Sequence, residues 1–262
     1  MGLLKGAGVP DLAFKKRVED YYRPRILKAL AEHITGYEEA VRTALSTPTK
    51  SSSSDRARAR AAADQFIKAD PTALARELRG LYNDAAARGV GYAIEEMNNG
   101  GVKLGVNLAQ FAQGTDWANW TPGSVSIADV AGPRIAATLK NTESLASSIA
   151  NTTLDRIATQ IANGIALGSK WQDVSQSISA LIEDPLRADV IAITETNRAY
   201  NEATLDSYAS GGIDGWTWVA YDGACDECSE LDGNQFTLDD DPPPAHPDCR
   251  CGVEPVLPDS TE

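Results

Sequence analysis

All four cysteines of the chain, Cys225, Cys228, Cys249 and Cys251, fall within 27 positions, and one of its two histidines, His246, lies among them. Five donors of this kind at short spacing must converge if they hold a metal ion, and a stretch that folds back on itself cannot belong to a long helix. Cys225-x-x-Cys228 has the spacing of a zinc knuckle, because two intervening residues let a tight turn aim both sulfurs at one point. Asp232, Gly233 and Asn234 supply turn-forming residues just after it. Cys249-Arg250-Cys251 is a less standard second half. In an extended segment alternate side chains share a side, so both sulfurs would face the first pair. A tetrahedral Zn²⁺ takes four of the five donors and leaves one over, His246 or a cysteine. Two disulfides, or four free thiols, are the competing readings. A chain made in the cytosol favours metal over disulfide.

The rest of the chain reads as helical. Leu12, Val18, Tyr22, Ile26, Leu30 and Ile34 recur near helical spacing over 11–34, with Pro24 expected to break or kink the helix and Gly36 to stop it. Residues 46–55 are Ser-rich and read as a flexible linker between an N-terminal helical segment, 1–45, and a helical region with an irregular loop, 56–134. Asp70-Pro71 is a cap-plus-proline helix start, with Leu74, Leu78 and Leu81 inward as far as about Met97 and Gly89 and Gly91 weakening the middle. Val102, Leu104, Val106 and Leu108 alternate like a short strand. Trp117 and Trp120 read as the plug of a loop, with a partner-binding anchor as the alternative.

Three helices follow, over 136–167, 169–183 and 185–209. Leu145, Ile149, Leu154, Ile157, Ile161 and Ile165 make the stripe of the first, and Gly168 is its stop. Ser169 to Gln172 has the form of a capping box, and Asp184-Pro185 repeats the cap-plus-proline start. Leu186, Val190, Ile193 and Tyr200 are the buried positions expected of the third helix, and Gly211-Gly212 ends it. Its Thr194, Glu195, Arg198, Asn201 and Glu202 are polar. They read either as a salt-laced exposed face or as a ladder on which the C-terminal module, 216–255, docks. Trp216–Tyr221 and Gln235–Thr237 have strand character and form a hairpin around the Cys225–Cys228 turn. The expected fold is mainly α (α+β): long helices or a helical bundle, then a small C-terminal β-hairpin carrying a Cys/His loop.

Charge is uneven. Residues 201–262 hold 15 Asp and Glu against Arg250 alone, within a net charge of −13. Such an end repels nucleic acid and suits a basic surface, although a solvated face is the plain alternative. Arg56, Arg58, Arg60 and Lys68 are the candidates for weak, non-specific DNA contact, against a solvated helix start. No run approaches the ~20 apolar residues of a membrane span, and Met1–Ala7 lacks the apolar stretch of a signal peptide, so the expected place of synthesis is the cytosol.

The order C-x-x-C-x-x-L-D-G-x-x-F, at Cys225, Cys228, Leu231, Asp232, Gly233 and Phe236, is followed by P-P-x-H-P-x-C-R-C at Pro243, Pro244, His246, Pro247, Cys249, Arg250 and Cys251. This ending resembles that of the phage Mu F-like minor head proteins, also called phage head morphogenesis proteins. The run T-E-x-x-R-x-x-N at Thr194, Glu195, Arg198 and Asn201 is similar to that family's helix before the motif. The resemblance spans about 135–255, and residues 1–134 carry none that can be named. It implies a structural protein inside a tailed-phage head, near the portal and made in the host cytoplasm. Portal, capsid and scaffold proteins are then its expected partners, and head assembly with DNA packaging or delivery its expected role.

A metal-dependent enzyme is the alternative: a capsid-maturation protease or an ADP-ribosyltransferase-like activity, the latter linked to the family's fold, and neither with a motif in this sequence. A Ser or Cys hydrolase needs a histidine base. His33 reads as a surface residue of a charged helix and His246 as a ligand, which leaves Glu227 and Glu230 as turn acids beside the cysteines.

Overall fold

The computed structural model describes residues 11–46, 52–117 and 119–257. Ten helices and five short strands are found among them: α1 Leu12–Glu32, β1 Ile34–Thr35, α2 Tyr37–Leu45, α3 Ser52–Phe66, β2 Lys68–Ala69, α4 Thr72–Asn99, α5 Val106–Gly114, α6 Pro133–Lys140, α7 Thr142–Leu167, α8 Trp171–Ile182, α9 Pro185–Ser210, β3 Gly215–Val219, α10 Asp226–Leu231, β4 Gln235–Thr237 and β5 Gly252–Pro255. The protein is therefore mainly helical with a small C-terminal antiparallel sheet. No helix among the described residues is long and apolar enough to cross a membrane.

The chain forms two compact units, each assembled from separated segments. One takes 24–78 and 141–188, the other 1–23, 79–140 and 189–262, so the boundary falls within α1, α4 and α9. In the first unit, α2, α3, α7 and α8 enclose a core of small and branched side chains: Ala40, Val41, Ala44, Ala59, Ala62, Ile157, Ile161 and Ile178. Alanine lets helices approach closely, and Gly164 goes further, since a Cβ there would lie 2.4 Å from a Val174 methyl. Gly168 ends α7 in the left-handed conformation (φ 64°), and Ser169 N–H closes the end on Gly164 O at 2.9 Å. β1 and β2 pair antiparallel, Ile34 opposite Ala69.

In the second unit, α4 and α9 pack at unusually close range. A Cβ at Gly89 would fall 2.2 Å from Tyr200 O, and Thr204 Oγ1 donates to Gly89 O at 3.2 Å. Gly89 therefore serves a helix contact that no larger residue permits. Gly91 does the same for Trp117, whose ring would lie 2.6 Å from an added Cβ, while Trp120 is buried against Phe14 with ring centroids 4.4 Å apart. Both tryptophans plug the loop after α5. The sheet has the order β4-β3-β5, all antiparallel, with Trp216 opposite both Phe236 and Pro255.

Several expectations are corrected. Pro24 does not break α1, which continues through it to Glu32. Helix α3 begins at Ser52, inside the stretch read as a linker, of which 47–51 lie outside the described residues. The alternation at Val102–Leu108 is not a strand: Val106 opens α5, and a helix wins because Ala109, Gln110, Phe111 and Ala112 continue it with no strand placed to pair with it. The 136–167 helix is two, α6 and α7, parted at Asn141. The N-cap of α8 is Lys170, with no side-chain cap, so Ser169 and Gln172 form no capping box. Leu186 is exposed in the first turn of α9. His33 is buried, with Nδ1 bonded to Leu30 O, because the chain turns inward there from α1 into β1.

Candidate metal centre

The centre is built by the loops at the end of β3 and before β5. Cys225 is the N-cap of α10, with an extended backbone (φ −66°, ψ 166°), and Cys228 follows three residues into the first turn. Those two positions lie on one side of a helix start, so both sulfurs point the same way. Across from them, His246 Nε2 lies 3.4 Å from Cys225 Sγ and 3.2 Å from Cys228 Sγ. Its Nδ1 is 2.8 Å from Pro247 O and donates to it, which leaves the Nε2 lone pair facing the sulfurs. Cys228 Sγ is also 3.9 Å from Cys249 Sγ.

The donor atoms fall into two triads, Cys225–Cys228–His246 and Cys228–Cys249–Cys251, each within 4.8 Å and sharing Cys228. A tetrahedral ion with Zn–S bonds of about 2.3 Å holds its sulfurs about 3.8 Å apart. The Cys228–Cys249 separation meets that value, and the donor types are those of a structural zinc site, so the residues present fit such an ion. The cluster lines a depression of about 270 Å³. Cys225 is exposed at its mouth, and Cys228, Cys249 and Cys251 are buried.

Packing so many thiols together divides their acidities. Hydrogen bonding from Cys251, the largest cause, brings the Cys249 thiol down to about 5, whereas burial, followed by the charge of Cys249, pushes Cys228 up to about 12. Cys251 is driven above the usual thiol range, first by its bond to Cys249 and then by burial. The backbone N–H of Cys228 lowers Cys225, and the Pro247 carbonyl raises His246. Cys249 and Cys225 are thus favoured as thiolates, whereas Cys228 and Cys251 resist losing their protons. A divalent cation relieves that conflict, because it stabilises every thiolate at once.

Helix α9 holds the second half of the cluster in place. Thr194 Oγ1 accepts from Asp248 N–H at 2.9 Å, where Asp248 takes a positive φ of 64°. Asn201 Nδ2 donates to Pro243 O at 3.1 Å and to Cys251 O at 3.2 Å, and Asn197 Nδ2 donates to Cys251 O at 2.8 Å. Between the two cysteines of this arm, Arg250 forms a two-pronged pair with Glu19 of α1 at 2.8 and 2.9 Å. Lys15, one turn earlier on α1, is buried with Nζ 2.8 Å from Asn197 Oδ1. Burial pulls its amine down to about 7, opposed by Asp11, Glu19, Cys249 and Cys251.

The other motif residues do different work. Glu195 is buried and accepts from Tyr82 OH of α4 and from Arg198 Nε of its own helix, so this pair is not engaged with the cysteine loop. Asp232 Oδ1 accepts from Ala220 N–H at 2.8 Å, Gly233 takes φ 78°, and Phe236 stacks on Trp216 with centroids 4.6 Å apart. These three shape the hairpin without touching the donors. Arg56 and Lys68 are exposed, Arg58 pairs with Asp55, and Arg60 pairs with Asp64 and Asp155. Sequence reasoning missed Asn197, Glu19 and Lys15. Asn197 stands one turn before Asn201 on the same face, and that spacing is the signal that would have found it.

Residues 155–254 match the model of the family described as phage Mu protein F like protein. No curated protein and no solved structure matches the chain.

Proposed function

We propose, on the premise that residues 155–254 make this a phage Mu F-like head morphogenesis chain, that the protein is a minor structural component of a tailed-phage head. In this reading it sits inside the head near the portal and acts in assembly and in packaging or delivery of DNA. The family match carries the reading. The architecture supports it: capped helices and a compact hairpin suit a shaped docking part. His33, buried on Leu30 O, offers no free base, and this reading takes His246, beside Cys225 and Cys228, as a ligand.

Within that role, four of Cys225, Cys228, His246, Cys249 and Cys251 hold a structural Zn²⁺. The ion would supply the positive charge that the clustered thiols lack and fix the chain over 222–255. Elemental analysis of protein purified without chelator reads about one zinc per chain; stoichiometric absence of metal with the thiols in disulfides would sink this part. The acidic end, with 15 acids to one arginine over 201–262, meets a basic surface of the portal or shell and so sets orientation and encounter rate more than affinity. DNA contact through Arg56, Arg58, Arg60 and Lys68 is weak and salt-sensitive, and with Arg58 and Arg60 engaged by acids it carries no sequence preference. The test of the role is a head-assembly assay. Heads built with a chain lacking 222–262 should contain little of the protein. Normal incorporation and full infectivity would overturn the docking role.

A further inference from the structure

We infer that Lys15 is the counter-charge of the Cys/His centre, balancing its thiolates from the protein side; this rests on the metal reading above. Lys15 is buried, and its hydrogen bond goes to a neutral group, Asn197 Oδ1, with its ammonium 4.1 Å from the centre of the Tyr200 ring. The carboxylates nearest it in charge are already engaged. Asp11 accepts from Arg88 at 2.7 Å and from Tyr200 OH at 2.9 Å, and Glu19 takes both prongs of Arg250. A buried ammonium without an anion of its own is costly, and the fold keeps this one.

Geometry places Lys15 beside the cysteine arm, one amide away from Cys251 through Asn197. After Asp11 and Glu19, Cys249 and Cys251 are the charged groups that support its ammonium. Three thiolates and an imidazole around a divalent ion leave one net negative charge, and four thiolates leave two. With Cys228, Cys249 and Cys251 buried, water cannot disperse that excess on the inner side. Lys15 cancels it wholly in the first case and by half in the second. Asn197 joins the two partners directly, since it accepts from Lys15 Nζ and donates to Cys251 O. The lysine is therefore a positioning and charge-balancing residue that does not itself bind the ion.

The test is a chelator-competition titration with Zn²⁺ on the full chain, wild type beside Lys15→Met and Lys15→Gln. Lys15→Gln keeps a polar head for Asn197 and loses only the charge. Both variants should bind Zn²⁺ about 10–100-fold more weakly. Their metal-free forms should resist urea as well as the wild type or better, because a desolvated charge has gone. A lysine that merely packs would behave otherwise: its loss would lower metal-free and zinc-loaded stability alike and leave affinity unchanged, and that result overturns the inference. So would variants that fail to fold equally with and without zinc. Wild-type binding with unaltered variants removes only the counter-charge, whereas a wild type that takes up no zinc removes the metal reading as well.

Discussion

Asn201 carries two acceptors of the cysteine arm on one amide, which makes it the residue at which attachment to α9 is most directly measured. Asn201→Ala leaves Pro243 O without its donor, while Cys251 O keeps Asn197. The expected loss is about 1–3 kcal/mol in urea unfolding, the usual cost of an unsatisfied buried polar group. Arg250→Ala should cost more, roughly 3 kcal/mol, because it strands the Glu19 carboxylate, whose side chain is 2% exposed. Arg250→Lys should fall between, since a point charge cannot reproduce the two parallel contacts. A midpoint for Arg250→Ala equal to wild type would remove the pair from the list of what holds the arm. These residues also mark how far the sequence was legible. The five donors stand out because ligand spacing is local, and Thr194 and Asn201 stand out because a helix repeats its faces. Glu19 and Lys15 had no signal, because each meets its partner across a separation of 231 or 182 residues and no local period records such a pairing.

Helix α6 shows the same limit at the scale of an element. Its first turn is satisfied from α9: Asp206 accepts from Arg134 N–H at 3.3 Å and from Ile135 N–H at 3.1 Å. Gly132 permits the approach, since a Cβ there would sit 2.4 Å from the Asp206 carboxyl carbon. Gly132→Ala is expected to destabilise by about 1–3 kcal/mol through that overlap. Burial raises the Asp206 pKa in spite of the two N–H donors. A raised carboxyl pKa means that the folded state binds the proton more tightly than the unfolded state. Its contribution to stability is present in full below the unfolded value of 3.8 and is lost as pH rises through the folded value. The wild type should accordingly gain on Asp206→Asn as pH is lowered from neutrality towards 4, read as the difference in urea midpoints; a difference independent of pH would rule this out. Long, evenly striped helices were readable, and so was the β3–β4 pairing. The strand β5 was not, because Gly252–Pro255 is four residues long with a proline at its edge, and the false strand at 102–108 shows that a brief alternation has no force without a partner to pair with.

For the molecule as a whole, the family match begins at residue 155, but the contacts that steady the cysteine arm reach well before it. A fragment of residues 155–254 lacks Lys15 and Glu19, and it also lacks Tyr82 and Gly89, against which α9 packs. It should melt without a cooperative transition by circular dichroism even with zinc present, where the full chain unfolds cooperatively; a sharp, zinc-dependent melt of the fragment would contradict this. The Glu19–Arg250 pair carries one more consequence, which concerns time. A ribosome adds roughly 5–20 residues per second, so some tens of seconds separate the making of the two partners, 231 positions apart. During that wait the face of α1 that will later be enclosed presents Lys15 and Glu19, both of which water hydrates well. A face made wholly of apolar residues would invite wrong associations more strongly; the two charges set beside Val18 and Tyr22 help this one stay in solvent until the last segment arrives to cover it.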